Sequence, residues 1–264
     1  EKTVDLETYL PIVVAGQISA ESHPEAIKAQ TILARTYICR QMEQMGLEEE
    51  IPESSLGLEK NRNNQMEPLW GTEIFPEYYS RFEKAARETE GVTLTWEGHF
   101  IDPLFTHTTT GFTRPGDEEH PYLASVSCVH DPEEEGFVQE MIMQPEEAAK
   151  RVSAIPAGDG SFRTIPPEAF PEQVQIISRD EAGYALQLQI GGFPFNGEEV
   201  RLALGLPSAC FELNRHGSDV RFSVRGRGHG WGLSQTEAQA LAEDGWSAEA
   251  ILEYFYTGIS FSSE

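Results

Sequence analysis

Residues 225-RGRGHGWGLSQTE-237 place glycine at positions 226, 228, 230 and 232. If the stretch is extended, alternation puts Arg225, Arg227, His229 and Trp231 on one face and bare glycine on the other. Interior glycine weakens a strand, so this spacing points to close approach by another backbone or by a ligand. The projecting face carries two fixed cations, an imidazole and an indole, a combination suited to an anionic sugar polymer. A glycine-rich turn with Trp231 in the core is the alternative. Upstream, 219–225 reads as a strand. Downstream, Ser234 and Glu237 form a capping box that opens a helix to about Glu243, with Gly245 closing it. A strand running through glycines into a capped helix calls for a fold that mixes both elements.

The rest of the chain agrees. Residues 22–45 predict a helix, with Ser22 and Glu25 as a capping box and Pro24 in the first turn. Apolar residues cover much of its circumference, which predicts a central helix. The segment 12-IVVAGQI-18 reads as a buried strand or a short apolar helix. Residues 46–70, with NRNNQ, read as a surface loop or insertion. A helix is expected over 76–90, then strands 92-VTLTW-96 and 99-HFIDPLFTHT-108 joined at Glu97-Gly98. A loop over 109–121, a short helix from Pro145 and a hairpin over 173–190 turning at 180-DEAG-183 follow. Ser247 caps a last helix ending near Tyr256. There are no repeats, no long linker and no βαβ alternation. The expected fold class is α+β, a single mixed domain over 1–264, bilobed at most, with a central substrate cleft. Within it stand a helical block at 12–45, a β-rich middle at 91–225 and the glycine motif with its helices at 226–258.

The chain has 264 residues and a formal net charge of −25. Nucleic acid is excluded as a partner, because backbone binding needs a basic footprint. The acid excess is clustered, as in 131-DPEEEG-136, and such runs ordinarily form solvated surface. An anionic substrate still binds where arginines gather locally. No apolar run is long enough to span a bilayer and no signal-peptide pattern opens the chain. The chain starts at Glu1 without methionine, which fits a piece whose anchor segment has been removed. Cys39, Cys128 and Cys210 are widely spaced and imply no disulfide framework; small buried hydrophobes are the simpler reading.

Three groups are candidates for chemistry. Glu21 stands ahead of the first capped helix and suits a general acid/base. The helix start favours its ionised form, so acid catalysis would need a half-buried apolar setting, such as one beside Trp231. His107, His120, Cys128 and His130 are usable zinc ligands at an irregular spacing. Cys39, in mid-helix, lacks any feature that would activate a nucleophile.

Two blocks, 13-VVAGQISAESHPEAIKAQTILARTYI-38 and 226-GRGHGWGLSQTEAQALAEDGWSAEAILEYFYTG-258, resemble the SpoIID/LytB family of sporulation and cell-wall proteins. HTTTG at 107–111, PYLASV at 121–126 and LGLPSACFEL at 205–213 extend the likeness over nearly the whole chain. The resemblance implies an extracytoplasmic lytic transglycosylase that cuts peptidoglycan during spore engulfment. It implies glycan strands stripped of stem peptides as substrate and a SpoIIP-like amidase/endopeptidase and a membrane engulfment complex as partners. The family's essential glutamate falls on Glu21, so Glu21 is the expected catalytic residue. Substrate binding is expected from Arg35 and Arg227 toward a lactyl carboxylate, and from Tyr37 and Trp231 by stacking. His107, Thr109, His229, Ser234 and Gln235 complete the expected contacts. No cofactor is expected; some family members hold zinc through cysteine and histidine, but this chain has no cysteine in 108–120. The family often has Glu where Gln17 stands, a smaller residue where Trp231 stands, and a second glycine where Phe112 follows Gly111. Rival readings are a non-catalytic glycan-binding protein or amidase enhancer, a zinc hydrolase on His107, His120 and His229, and a scaffold whose acidic loops dock a basic protein.

Overall fold

A computed structural model describes residues 5–47, 50–57 and 73–263. Most of the loop expected over 46–70 lies outside the described residues; within it, Glu53–Ser55 form a single tight turn. The fold is α+β. The backbone divides into two compact units, each assembled from separated stretches of chain: 1–105, 116–124 and 238–264 in the first, 106–115 and 125–237 in the second.

The first unit is built on three helices, α1 (Leu6–Ala15), α2 (Pro24–Met45) and α3 (Phe75–Glu88). The apolar run 12–18 is therefore mostly helix. α2 is buried on nearly every side, and Leu10, Val14, Ile27, Ile38 and Phe82 form one apolar cluster across the three helices. Its cap differs from expectation. Pro24 occupies the first helical position, so the N-cap is His23, whose ring accepts from the Glu25 N–H, and Ser22 stands one residue too early. Gly46, at φ 65°, ends the helix. Strand β1 (Val92–Trp96) turns through Glu97 and Gly98, both at positive φ, into β2 (His99–Phe100). The longer strand expected over 99–108 stops at Phe100, since Pro103 cannot donate to a ladder. β1 is held to α2 by the Leu94 N–H on the Thr36 hydroxyl (3.0 Å) and carries β11 (Ser260–Ser263) on its other edge. α7 (Ala248–Phe255), capped by Ser247, completes this unit.

The chain enters the second unit through β3 (Phe105–Thr106). This unit holds two antiparallel three-stranded sheets. One has the order β4 (Val138–Met143), β9 (Asp219–Arg225), β8 (Phe211–His216); the other runs β5 (Val174–Arg179), β6 (Ala185–Ile190), β7 (Phe193–Asn196). α4 (Pro145–Ser153) and α5 (Gly197–Leu204) supply Val152, Val200 and Leu204 to the core of this unit. In β9, Val220, Phe222 and Val224 point into that core while Arg221, Ser223 and Arg225 alternate away from it. The last strand residue, Arg225, is exposed for this reason. β10 (Leu233–Ser234) then leads into α6 (Gln235–Glu243), along which the chain returns to the first unit.

Candidate functional site

In the first unit the loop between α1 and α2 presents Glu21. Ala20 beside it is buried, while Glu21 itself is exposed rather than half-buried as expected. Two side chains of α3, one turn apart, hold this loop. The Tyr78 hydroxyl donates to Glu21 Oε1 at 2.7 Å, and Arg81 Nη1 donates to the Ala20 carbonyl at 2.9 Å. The Arg81 guanidinium also lies 5.6 Å from the centre of the Tyr78 ring. The Glu21 carboxylate raises the Tyr78 phenol above its ordinary pKa, chiefly through this hydrogen bond. The Glu21 N–H donates to the Ser19 hydroxyl (3.2 Å). The result is a carboxylate with one oxygen engaged and its backbone fixed from a neighbouring helix. Reading the sequence alone missed Tyr78 and Arg81; their only signal was their shared face on an amphipathic helix.

Two expected substrate contacts in this unit have internal jobs instead. Arg35 is 1% exposed. Its Nε and Nη2 donate to Glu7 at 2.7 Å each, and Nη1 and Nη2 reach the Val92 and Ala86 carbonyls. One guanidinium thus ties α1, α2, α3 and β1, leaving no donor face for a lactyl carboxylate. The Tyr37 hydroxyl donates to the Leu56 carbonyl at 2.7 Å and its ring packs on the apolar cluster.

In the second unit the glycine-spaced segment is not a strand. All four glycines, 226, 228, 230 and 232, have positive φ, and the strand stops at Arg225. The expectation of close backbone approach holds. The Arg227 N–H donates to the Thr108 carbonyl (2.8 Å) and the Thr108 N–H returns the bond (3.0 Å). Gly226 N–H donates to Phe137, Gly228 to Pro207, and Gly230 accepts from Arg114. Arg225 and Arg227 are exposed on this ridge; His229 and Trp231 are half-buried. The Arg114 guanidinium lies 3.7 Å from the centre of the Trp231 ring, so one indole face is already covered. Arg114 also pairs with Asp180 and Glu198 and donates to the His229 carbonyl. His229 Nδ1 accepts from the Trp231 N–H, which leaves its proton on Nε2. Burial, then the charges of Arg201 and Arg114, push its pKa down to about 4, so the ring is neutral at pH 7.

Beneath the ridge, Asp131 is fully buried. It accepts from the Thr109 N–H and hydroxyl (2.5 and 2.6 Å) and from the Ser234 hydroxyl (2.8 Å). Burial raises its pKa, against the hydrogen bonds from Thr109 and Ser234. Thr109 and Ser234, both expected at the substrate, are therefore internal. Ser234 keeps its capping role by accepting from the Glu237 N–H. Gln235 is buried with Oε1 3.4 Å from Nδ1 of the exposed His107. A cavity of about 250 Å³ in this unit is lined by His107 and Arg227 among others.

The zinc donors do not gather. His120 belongs to the first unit, with Nδ1 on Asp117 and Nε2 3.7 Å from Asp102. His130 faces Glu237 at 3.1 Å, and burial pushes the Cys128 thiol well above its usual range. Among the described residues no three metal-ligating side chains cluster.

Comparison with known proteins agrees with these motifs. A family model described as "Stage II sporulation protein", SpoIID, matches residues 1–96, a span that includes Glu21 and Tyr78. A Bacillus amyloliquefaciens protein named "Stage II sporulation protein D" is 27% identical over 270 residues, covering 99% of this chain and 75% of that protein. The Bacillus subtilis (strain 168) protein of the same name is 29% identical over 274 residues, with the same coverage of 99% and 75%. A further Bacillus subtilis protein, named "Amidase enhancer", is 23% identical over 301 residues, 95% of this chain and 40% of that protein.

Proposed function

We propose that this chain, similar to stage II sporulation proteins of the SpoIID family, is a lytic transglycosylase of the sporulating cell wall, acting outside the cytoplasm. The substrate is the peptidoglycan glycan strand, denuded of stem peptides by a SpoIIP-like amidase/endopeptidase of the engulfment complex. The bond cut is the β-1,4 link from N-acetylmuramic acid to N-acetylglucosamine. Covered by the bound glycan, which withdraws it from water and favours its protonated form, Glu21 gives its proton to the bridging oxygen as the C1–O4 bond breaks. The anomeric carbon passes through an oxocarbenium-like state. The C6 hydroxyl of the same sugar attacks C1 and returns its proton to the Glu21 carboxylate, leaving a 1,6-anhydro end. Atoms balance without water. One carboxylate performs both transfers because they are sequential.

The observation that carries this reading is the held carboxylate. Tyr78 engages Glu21 Oε1, while Oε2 has no partner among the described residues. Arg225 and Arg227 supply exposed cations for a carboxylate-bearing polymer. Glu21→Gln should lower cleavage of denuded strands at least ~10²-fold with an unchanged circular dichroism spectrum. Mass spectrometry of wild-type digests should find anhydro ends, and hydrated reducing ends would refute the transglycosylase. The "Amidase enhancer" relative supports a second reading, a glycan-binding role without cleavage. Tight binding of denuded strands by wild-type protein, with no new ends formed, would favour it.

A further inference from the structure

The cavity of the second unit is lined by side chains of opposite charge, Arg227 on one segment and Glu134 and Glu135 on another, together with His107, Gly226 and Phe137. Arg227, Glu134 and Glu135 are exposed, and among the described residues their side chains have no partner, not even one another. Backbone hydrogen bonds hold the segments that carry them. Arg227 is locked by its paired hydrogen bonds with Thr108. The 134–137 turn is closed by the Phe137 N–H on the Glu134 carbonyl (3.0 Å), with Gly136 at φ 79°. The two segments are joined where the Gly226 N–H donates to the Phe137 carbonyl at 2.9 Å, so both sets of charges stand on backbone held at one cavity.

We propose that this cavity binds a zwitterion, a group carrying an ammonium and a carboxylate a few atoms apart. The carboxylate takes the Arg227 fork and the ammonium sits between Glu134 and Glu135. A neutral sugar leaves all three charges unmatched. A simple anion meets the glutamate pair, and a simple cation meets Arg227. About 250 Å³ holds one amino acid or one sugar ring, not a longer segment. On the cell-wall reading, two sources offer this chemistry: the free end of a diamino acid in a peptide stem, and a muramic acid unit that has lost its N-acetyl group. The binding itself does not depend on glycan cleavage.

The test is titration calorimetry and ¹H–¹⁵N NMR on the whole chain without glycan. The probes are meso-diaminopimelate and muramic acid. The controls remove one sign of charge each: pimelate and N-acetylmuramic acid lack the ammonium groups, and 1,5-diaminopentane lacks the carboxylates. At least one zwitterion should bind ~10-fold tighter than its controls, about 1.4 kcal/mol, and which one binds names the source. Arg227→Gln and the double variant Glu134→Gln/Glu135→Gln should each weaken that binding ~10-fold, with the fold verified by NMR. Equal binding of a control, undiminished binding by either variant, or no binding of either zwitterion overturns the proposal. Cleavage by Glu21 is decided separately, by product analysis.

Discussion

Glu21 draws attention in the sequence because it stands beside a strong helix start within a distinctive block; the hydroxyl that holds it does not, because Tyr78 is 57 residues away in sequence. On the proposed transglycosylase reading, Tyr78, whose hydroxyl donates to the Glu21 carboxylate, is a positioning residue. Tyr78→Phe should lower kcat about 10-fold and leave KM unchanged. A spectroscopic readout separates this from mere destabilisation. With ¹³C-labelled tyrosine, the Tyr78 phenol should titrate above its ordinary range in wild type and fall back toward it in Glu21→Gln. An unmoved titration would refute the contact. Arg35 makes the opposite point. Its charge suggested a substrate contact, yet its bidentate pair with Glu7 and its carbonyl contacts make it a tie at the centre of the first unit. Arg35→Met should cost about 3 kcal/mol of stability, seen as a lowered urea midpoint. Wild-type stability with a raised KM would restore the substrate role. Charge type is visible in a sequence, but the partner that consumes the charge is not.

At the scale of elements, helices with caps were legible and short strands were not. α6 and α7 follow the readings from Ser234 and Ser247 because local capping fixes their starts, and α4 follows the reading from Pro145, which occupies its first position without a side-chain cap. The 180–183 turn was legible from its glycine, which sits at φ 90°. α5 passed unread; its signal was Asn196, which caps the helix by accepting from the Glu198 N–H. The glycine segment was half legible. Period two correctly announced crowding, but four positive φ values replace the expected extended chain. Gly230 shows the consequence. A Cβ there would lie 2.5 Å from the fully buried Tyr184 ring, on a backbone at φ +85°. Gly230→Ala should cost about 3 kcal/mol, combining left-handed strain with overpacking. Gly217→Ala, at φ +64° with nothing within 4 Å, carries the strain alone and should cost about 1 kcal/mol. Equal melting temperatures for the two variants would contradict the packing argument.

For the molecule as a whole, acid is the revealing condition. His229 is held at about 4 in the fold, against an ordinary value near 6.5. A depressed folded pKa gives stability that is complete above pH 6.5. It is lost as pH falls toward 4, because the unfolded chain takes up a proton that the folded ring refuses. The loss should approach ~3 kcal/mol over that window. His229→Gln should flatten this part of the curve of denaturant midpoint against pH; an unchanged slope would refute the buried neutral ring. The α+β class was legible because it needs only the mixture of patterns. A bilobed arrangement was anticipated, but which stretches make up each unit was not legible, because that depends on which distant stretches pack together.

Four passages of the chain between its units, at 105/106, 115/116, 124/125 and 237/238, have a consequence for how such a gene can be recombined. No single crossover between two homologues hands over one unit intact. A hybrid joined at residue 125 would carry its 106–115 stretch from one parent and the surrounding sheets from the other. Chimeras meant to trade the glycine ridge must therefore move 106–115 together with 125–237, as two inserts rather than one.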